Sequence, residues 1–310
     1  MKMTESTKTI FEKYQVRKTK AQKTEFIEYV KGIADENGYS FNVETGSFGS
    51  RNIAIGDVDN AKVIYTAHYD TCAVLPFPNF ITPKNFLIYL LYQFIIILPI
   101  FAVAFLIGIL SGLTSVYVSE LAGDIVSDIA IIGIWVLLAL LVAGPANKNT
   151  ANDNTSGVTT LIDIINAIDG EAKEKTAFVF FDLEEAGLFG SSSFASKHKN
   201  VKNNTLVLNF DCVSDGENIL LAVKKGAKQF IPLLSECFPN VENINSEVAT
   251  KVFYPSDQAN FKYGVGVCAL KRSKRGILYM DRIHTKQDTV YREVNIEYLR
   301  SCAIALAEKI

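Results

Sequence analysis

Two histidines and five carboxylates stand beside apolar, strand-like runs of this sequence, and their side chains could bind metal together. His68 and Asp70 follow the apolar run 63–67. Because side chains alternate along a strand, both lie on the same side of it. The carboxylate can then hold the far nitrogen of the imidazole, an arrangement found around zinc. A lone His-x-Asp is weak evidence, so its meaning depends on the rest of the chain.

The other polar residues of this set occupy similar places further along. They are Asp153 before the helical pattern 158–168, Glu184 and Glu185 after the apolar run 176–183, Asp211 after 205–210, and His284. Imidazole and carboxylate together form a ligand set for zinc. Two ions that share one carboxylate need five ligands, and the set leaves two carboxylates over. Each residue also has an ordinary interpretation, such as a helix cap for Asp153.

The elements that must position these residues alternate between helix and strand. Apolar periodicity predicts helices at 4–16, 20–37, 158–168, 188–199, 227–237 and 295–309. It predicts strands at 39–44, 52–55, 62–67, 176–183, 205–210, 251–254 and 265–270. This alternation predicts an α/β fold, a three-layer sandwich around a mixed, largely parallel sheet whose strand ends carry the polar groups.

A long apolar insertion interrupts this pattern. Residues 85–119 carry no charge, and a second uncharged run covers 129–147. A bilayer needs about 20 apolar residues per helix, so we predict a hairpin of two transmembrane helices, at 86–113 and 125–144, joined by a connection at 114–124. A lid or a dimer interface is the alternative. We therefore predict one discontinuous domain, made of residues 1–76 and 148–310, and an inserted hairpin at residues 77–147.

Charge and cysteine content indicate the compartment. The chain of 310 residues has 31 basic and 33 acidic side chains, so its net charge gives no reason to expect a nucleic-acid partner. Five cysteines without CxxC spacing suggest reduced thiols, and residues 1–30 lack the pattern of a cleavable signal peptide. Lys84 and Lys148 flank the hairpin, which favours a cytoplasmic catalytic domain and cytoplasmic termini.

The order of the motifs resembles the co-catalytic dizinc aminopeptidases, a group that includes leucyl aminopeptidases, glutamate carboxypeptidase and the transferrin receptor. The matching residues are His68-x-Asp70, Asn152-Asp153-Asn154-x-Ser156-Gly157, Glu184-Glu185-x-Gly187, Asp211, Ser256-Asp257-x-x-x-Phe261 and His284-Thr285-x-x-Asp288-Thr289. Two departures stand out. In this chain 85 positions separate His68 from Asp153, and Ile283 stands where some relatives have a substrate-binding tyrosine.

The resemblance implies a role for each matching position. Asp153 would bridge two zinc ions, His68 and Asp211 would complete one site, and Glu185 and His284 the other. Glu184 would be the general base, and Asp70 would orient His68. Asp211 has a rival in Asp215. Asp257 would line the pocket or cap the turn at 258–261, and Tyr254 would contact the substrate or its oxyanion.

We therefore expect a metallo-aminopeptidase that hydrolyses the N-terminal peptide bond with a metal-activated water and Glu184 as base. A carboxypeptidase stays open because four arginines, Arg272, Arg275, Arg282 and Arg292, lie near the last motif. Glutaminyl cyclisation and a non-catalytic membrane module are further alternatives. The expected partners are a peptide and the lipid bilayer, which the basic loop 271–275 could also touch. Homo-oligomerisation is left open.

Overall fold

The computed structural model describes residues 3–310, so the first two residues of the predicted domain 1–76 lie outside it. The helices are α1 (Glu5–Lys13), α2 (Lys20–Glu36), α3 (Phe86–Tyr117), α4 (Glu120–Ala143), α5 (Gly157–Ala167), α6 (Gly170–Glu174), α7 (Phe189–Lys197), α8 (Lys199–Asn204), α9 (Ile231–Cys237) and α10 (Glu293–Lys309). The strands are β1 (Phe41–Thr45), β2 (Arg51–Ile55), β3 (Val63–His68), β4 (Thr176–Phe181), β5 (Leu206–Phe210), β6 (Asn218–Val223), β7 (Asn245–Ala249), β8 (Tyr263–Arg272) and β9 (Leu278–Tyr279).

One mixed sheet carries the fold, with the strand order β1-β2-β4-β3-β5-β8-β6-β7 and β9 paired to β8. Its centre, β4-β3-β5-β8, is parallel. Strands β3, β4 and β5 are buried along their whole length, because helices cover both faces of a parallel sheet. Helices α2, α5 and α10 pack on one face, while α7 and α8 pack on the other. The predicted three-layer α/β sandwich is confirmed.

The sequence prediction failed at one edge of this sheet. Residues 251–254 form no strand, and the segment runs irregularly towards Pro255, whose ring disfavours regular pairing. The strands β6 and β7 occupy that edge instead, and neither was predicted. Strand β7 has the sequence NSEVA and is only half-buried, so it lacks the apolar alternation that identifies a strand.

The two apolar runs form an antiparallel helical hairpin, α3 and α4, that stands off the sheet. Both helices are long and apolar enough to cross a membrane, and their apolar windows are not buried against the rest of the protein. The predicted connection at 114–124 is too long, since only Val118 and Ser119 separate the helices. The hydroxyl of Ser119 accepts the N–H of Ala122 at 3.1 Å, which caps α4 and lets it begin early.

Candidate metal centre

The predicted site residues meet where the carboxyl ends of the central parallel strands lie side by side. His68 is the last residue of β3 and pairs with Phe181, the last residue of β4. Glu184 and Glu185 lie three and four residues beyond β4, and Asp211 directly follows β5. Such strand ends form the usual crevice for ligands in α/β sheets.

Asp153 lies between the two imidazoles. Its Oδ1 is 3.3 Å from His68 Nε2, and its Oδ2 is 3.0 Å from His284 Nε2. Asp211 Oδ1 is 3.5 Å from His68 Nε2, and Glu185 Oε2 is 3.2 Å from His284 Nε2. The contacts of the two imidazoles thus define two groups that share the Asp153 carboxylate, and in the group around His68 the ligand atoms all lie within 4.8 Å of one another. We call His68, Asp153 and Asp211 the His68 group, and His284, Asp153 and Glu185 the His284 group.

The loop that carries Asp153 is held by its neighbours' side chains. Asn154 Nδ2 donates to the carbonyl of His68 at 3.3 Å and to that of Phe210 at 3.0 Å. Asn154 Oδ1 accepts the N–H of Gly157 at the start of α5 at 3.0 Å and the N–H of Cys212 at 3.2 Å. The loop therefore fastens the shared carboxylate to the ends of β3 and β5.

Asp288 holds the same loop from the opposite side. Its carboxylate accepts the N–H groups of Asn152 at 2.8 Å and of Asp153 at 2.9 Å. The sequence placed Asp288 in a motif without assigning it a role. The double acceptance indicates a positioning residue for Asp153.

Asp70 connects β3 to the segment after β4. Its two oxygens accept the N–H of Glu184 at 3.1 Å and the N–H of Glu185 at 3.3 Å. His68 Nδ1 lies 3.2 Å from the backbone carbonyl of Asp70 and 3.6 Å from its carboxylate. An Nδ1–H that faces these oxygens leaves Nε2 free to ligate. Asp70 is thus placed to orient His68 and both glutamates.

The charges of this centre call for a cation. Burial raises the pKa of Glu185 to about 8, and the charges of Asp153 and Asp70 add to this effect. Glu185 Oε1 is buried without a hydrogen-bond partner. Buried anionic groups without partners are costly, so the donor set fits zinc, which binds imidazole and carboxylate.

A cleft of about 250 Å³ opens over the two donor groups. All five predicted ligands line it, together with Glu184 and Tyr254. Asn79 and Ile81, from the segment that leads into α3, form part of its wall. Among the described residues that line the cleft, none is lysine or arginine.

The remaining sequence candidates lie around this cleft. Tyr254 donates its hydroxyl to the backbone carbonyl of Asp211 at 2.9 Å. Asp257 is fully buried outside the cleft lining. Asp215, the rival of Asp211, pairs with Arg282 at 3.3 Å and Lys271 at 3.6 Å. The side chain that faces His68 is therefore that of Asp211.

Two residues near the centre were missed at the sequence level. Arg17 is fully buried and donates from Nε to the carbonyl of Tyr69 at 2.5 Å. Burial lowers its pKa to about 10, against the opposing charges of Asp70 and Asp153. Cys72 places its Sγ within 4.8 Å of ligand atoms of Glu185 and His284. No local pattern marks either residue, because Tyr69, Glu185 and His284, which they approach, are distant from them in the sequence or identified only by the fold.

Comparison of this chain with models of known protein families gives one match. A model described as Peptidase family M28 matches residues 139–309, which is more than half of the chain. The match covers Asp153, both glutamates, Asp211 and His284, and it begins within the last residues of α4. No curated protein gives a match.

Several solved structures share the fold. The LapA aminopeptidase of Legionella pneumophila superposes with a TM-score of 0.57 at 15% identity, covering 98% of this chain and 68% of LapA. A glutaminyl cyclase of Porphyromonas gingivalis gives 0.56 at 13% identity, covering 99% of this chain and 98% of that chain. A Zn-dependent exopeptidase of Parabacteroides distasonis gives 0.52 at 15% identity, with 98% and 97% covered.

Proposed function

Because the chain belongs to peptidase family M28, we propose that it is a metallo-aminopeptidase, which removes the N-terminal residue of peptides. Membership of the family indicates a zinc-dependent hydrolase that acts on peptides. The aminopeptidase activity and the role of each residue are the further steps of the proposal. The fold shared with an aminopeptidase, a glutaminyl cyclase and an exopeptidase is compatible with them.

Two zinc ions would be held by the two donor groups. His68 and Asp211 would bind one ion, His284 and Glu185 the other, and Asp153 would bind both. When bound, zinc polarises a carbonyl and lowers the pKa of a water molecule. Two further carboxylates of the chain would hold these ligands in position. Asp288 holds Asp153 through two backbone N–H groups, and Asp70 holds Glu184 and Glu185 in the same way.

Glu184 is the proposed general base. It lines the cleft, and its backbone N–H is fixed by Asp70. Burial raises the pKa of Glu184 well above its usual range, with Asp211, Glu185 and Asp257 adding to the effect against the opposing charge of His68. A carboxylate with a raised pKa accepts a proton readily near neutral pH. Glu184 would take a proton from the attacking water and deliver it to the leaving amine.

The charged residues that line the cleft favour an aminopeptidase over a carboxypeptidase. The cleft wall holds four carboxylates, from Asp153, Glu184, Glu185 and Asp211, and two imidazoles, but none of its described residues is lysine or arginine. Three of these carboxylates would be occupied by zinc and Glu184 by the proton transfer, so the support comes from the missing cation: a carboxypeptidase needs a lysine or arginine for the substrate carboxylate, and the described lining of the cleft offers neither. Two of the arginines near the last motif are engaged elsewhere, Arg282 with Asp215 and Arg272 with Asn218.

A side-by-side assay tests this proposal. Purified protein is given two peptides of the same sequence, one with a free and one with an acetylated N-terminus, and a third peptide whose first residue is glutamine. We expect release of the first residue from the free-amine peptide, no cleavage of the acetylated one, and loss of activity with a chelator. Cleavage from the carboxyl end, or cyclisation of the glutamine without hydrolysis, would contradict the aminopeptidase proposal.

We further propose that the α3–α4 hairpin anchors the catalytic domain, residues 1–76 and 148–310, at the cytoplasmic face of a membrane. The hairpin exposes apolar side chains along both helices. Lys84 and Lys148 flank its base, whereas Glu120 and Asp124 lie at its tip. This distribution of charge favours a cytoplasmic base.

A further inference from the structure

We propose that Cys72 is a metal ligand in the His284 group, so that one of the two ions has four protein donors, one of them sulfur. The proposal rests on the proposed metal centre and extends it by a ligand type. It makes the two halves of the centre unequal. The four donors would be Cys72 Sγ, His284, Glu185 and Asp153.

The distances place the thiol among the other donors. Cys72 Sγ, a carboxylate oxygen of Glu185 and a ring nitrogen of His284 all lie within 4.8 Å of one another. Zinc bonds to N, O and S are about 2.0–2.3 Å long, so ligands of one ion lie within about twice that length. Closing the triad around an ion thus requires only a small movement of side chains.

The backbone around Cys72 is fixed to the segment that carries His284. The carbonyl of Cys72 accepts the N–H of Asn147 at 3.0 Å, and the N–H of Leu75 donates to the carbonyl of His284 at 2.7 Å. Asn147 Nδ2 donates to the carbonyl of Thr285 at 3.0 Å. Thiol and imidazole are therefore held in register by a shared network at the base of the hairpin.

An independent observation indicates a ligand at the same place. The side chain of Glu185 is only 10% exposed, and its Oε1 is buried without any hydrogen-bond partner. Its other oxygen, Oε2, lies 3.2 Å from His284 Nε2. A buried carboxylate oxygen without a partner costs free energy, and a cation between Glu185, His284 and Cys72 would satisfy it.

The ions in the two groups would then have different roles, one structural and one open to water or substrate. Four protein donors around zinc are typical of a structural site, whereas three donors leave a position open for water or substrate. The His284 group with Cys72 has four, and the His68 group has three. The sulfur also favours zinc over harder ions such as magnesium or manganese. The ion in the His284 group should therefore exchange more slowly than the ion in the His68 group.

Cobalt substitution tests the sulfur ligand directly. The metal-free, full-length protein in detergent is loaded with Co²⁺, and its near-ultraviolet absorption is recorded for a thiolate-to-cobalt charge-transfer band. We expect the band in the wild type and in Cys237→Ser, a control at a buried cysteine of α9. We expect its loss in Cys72→Ser, with the amount of bound cobalt at two per chain or reduced to one.

The outcomes separate this proposal from the one it rests on. Two bound cobalt ions without the band, or a band that persists in Cys72→Ser, would overturn the sulfur ligand and leave the metal centre intact. So would a band lost in Cys212→Ser instead, since Cys212 also lines the cleft. No bound cobalt would overturn both proposals. X-ray absorption of the zinc-loaded wild type needs no variant, and it should show a Zn–S distance of about 2.3 Å.

Discussion

At the scale of single residues, the centre depends on carboxylates with separate tasks. Asp153 faces both imidazoles, Asp70 and Asp288 accept backbone N–H groups, and Glu184 lines the cleft. Because Glu184 and Glu185 are adjacent in the chain, one can serve as a ligand while the other serves as a base. Substitutions at these two positions should have different effects.

Glu184→Gln should lower the rate of peptide hydrolysis by about 10²–10⁴-fold, the usual contribution of a general acid–base group. Bound zinc should remain near the wild-type amount, because the amide preserves the shape of the side chain. Glu185→Gln is the matched contrast, and it should lose zinc. Full activity of Glu184→Gln, measured on the free-amine peptide, would exclude this residue as the base.

Asp163 on α5 should make stability depend on pH. It is 8% exposed and accepts the hydroxyl of Thr4 at 3.1 Å. Burial raises its pKa to about 6 from 3.8, against the effects of Thr4 and Arg300. A raised folded-state pKa favours the protonated form, so this contribution is present below pH 4 and is lost as the pH rises through 6.

Asp163→Asn removes this titration. Relative to the wild type, the free energy of unfolding of the metal-free variant should rise by about 1–3 kcal/mol between pH 4 and pH 7. Chemical denaturation of both proteins across this range measures the difference. Asp35→Asn, at an exposed position of α2, is the control. If the difference in free energy of unfolding between the wild type and Asp163→Asn stayed constant with pH, the argument from burial of Asp163 would be contradicted.

At the scale of elements, the base of the hairpin is part of the wall of the candidate metal centre's cleft. Asn79 and Ile81 line the cleft, and Ile81 pairs with Met280 in an isolated β-bridge. The first turns of α3 pack through Phe86 on Phe253, and Tyr92 donates to the carbonyl of Pro78 at 2.5 Å. The apolar helices and the metal centre are thus joined through a common loop.

Shortening the hairpin should separate the proposed membrane anchor from this loop. In the helix pair, Ser111 bonds to Gly123, and Pro99 lies beside Leu137, so Phe94 stands opposite Val142. Replacing residues 94–141 by about six Gly and Ser residues spans the distance of about 8–10 Å between packed helices. We expect a protein that is soluble without detergent and retains zinc and peptidase activity.

The matched control for this variant is the deletion of residues 77–142, which also removes Asn79 and Ile81 from the cleft. That variant should lose activity. Aggregation of the shorter replacement in the absence of detergent, with the metal centre intact, would favour a lid or dimer interface over a membrane anchor.

The elements also show what could be predicted from the sequence. The positions of β3, β4 and β5 followed from apolar runs, because both faces of these strands are buried, although β4 ends at Phe181, two residues before the predicted end. The linear motifs therefore located His68, both glutamates and Asp211. Strand β7 could not be found, since an exposed edge strand has no apolar pattern. Cys72 and Arg17 were missed because their partners come from distant segments.

At the scale of the whole molecule, one α/β domain carries two features that the sequence keeps 85 positions apart, His68 and Asp153. The hairpin leaves and re-enters the domain beside the metal centre, where Ala73 pairs with Ala146. The insertion therefore need not disturb the sheet. A membrane-anchored peptidase would act on peptides at the bilayer surface. The predicted basic loop 271–275 is only partly a loop, because Lys271 and Arg272 belong to β8, so the predicted contact with lipid is left to Lys274 and Arg275 in the turn that follows.

The amount of zinc bound per chain is the most direct test of the shared-carboxylate centre. Full-length protein, purified in detergent and freed of loosely bound metal, is analysed for zinc and for protein concentration. Two donor groups that share Asp153 predict close to two zinc ions per chain, and Asp153→Ala should lose both. Clearly less than one ion per chain in the wild type would contradict the dizinc centre.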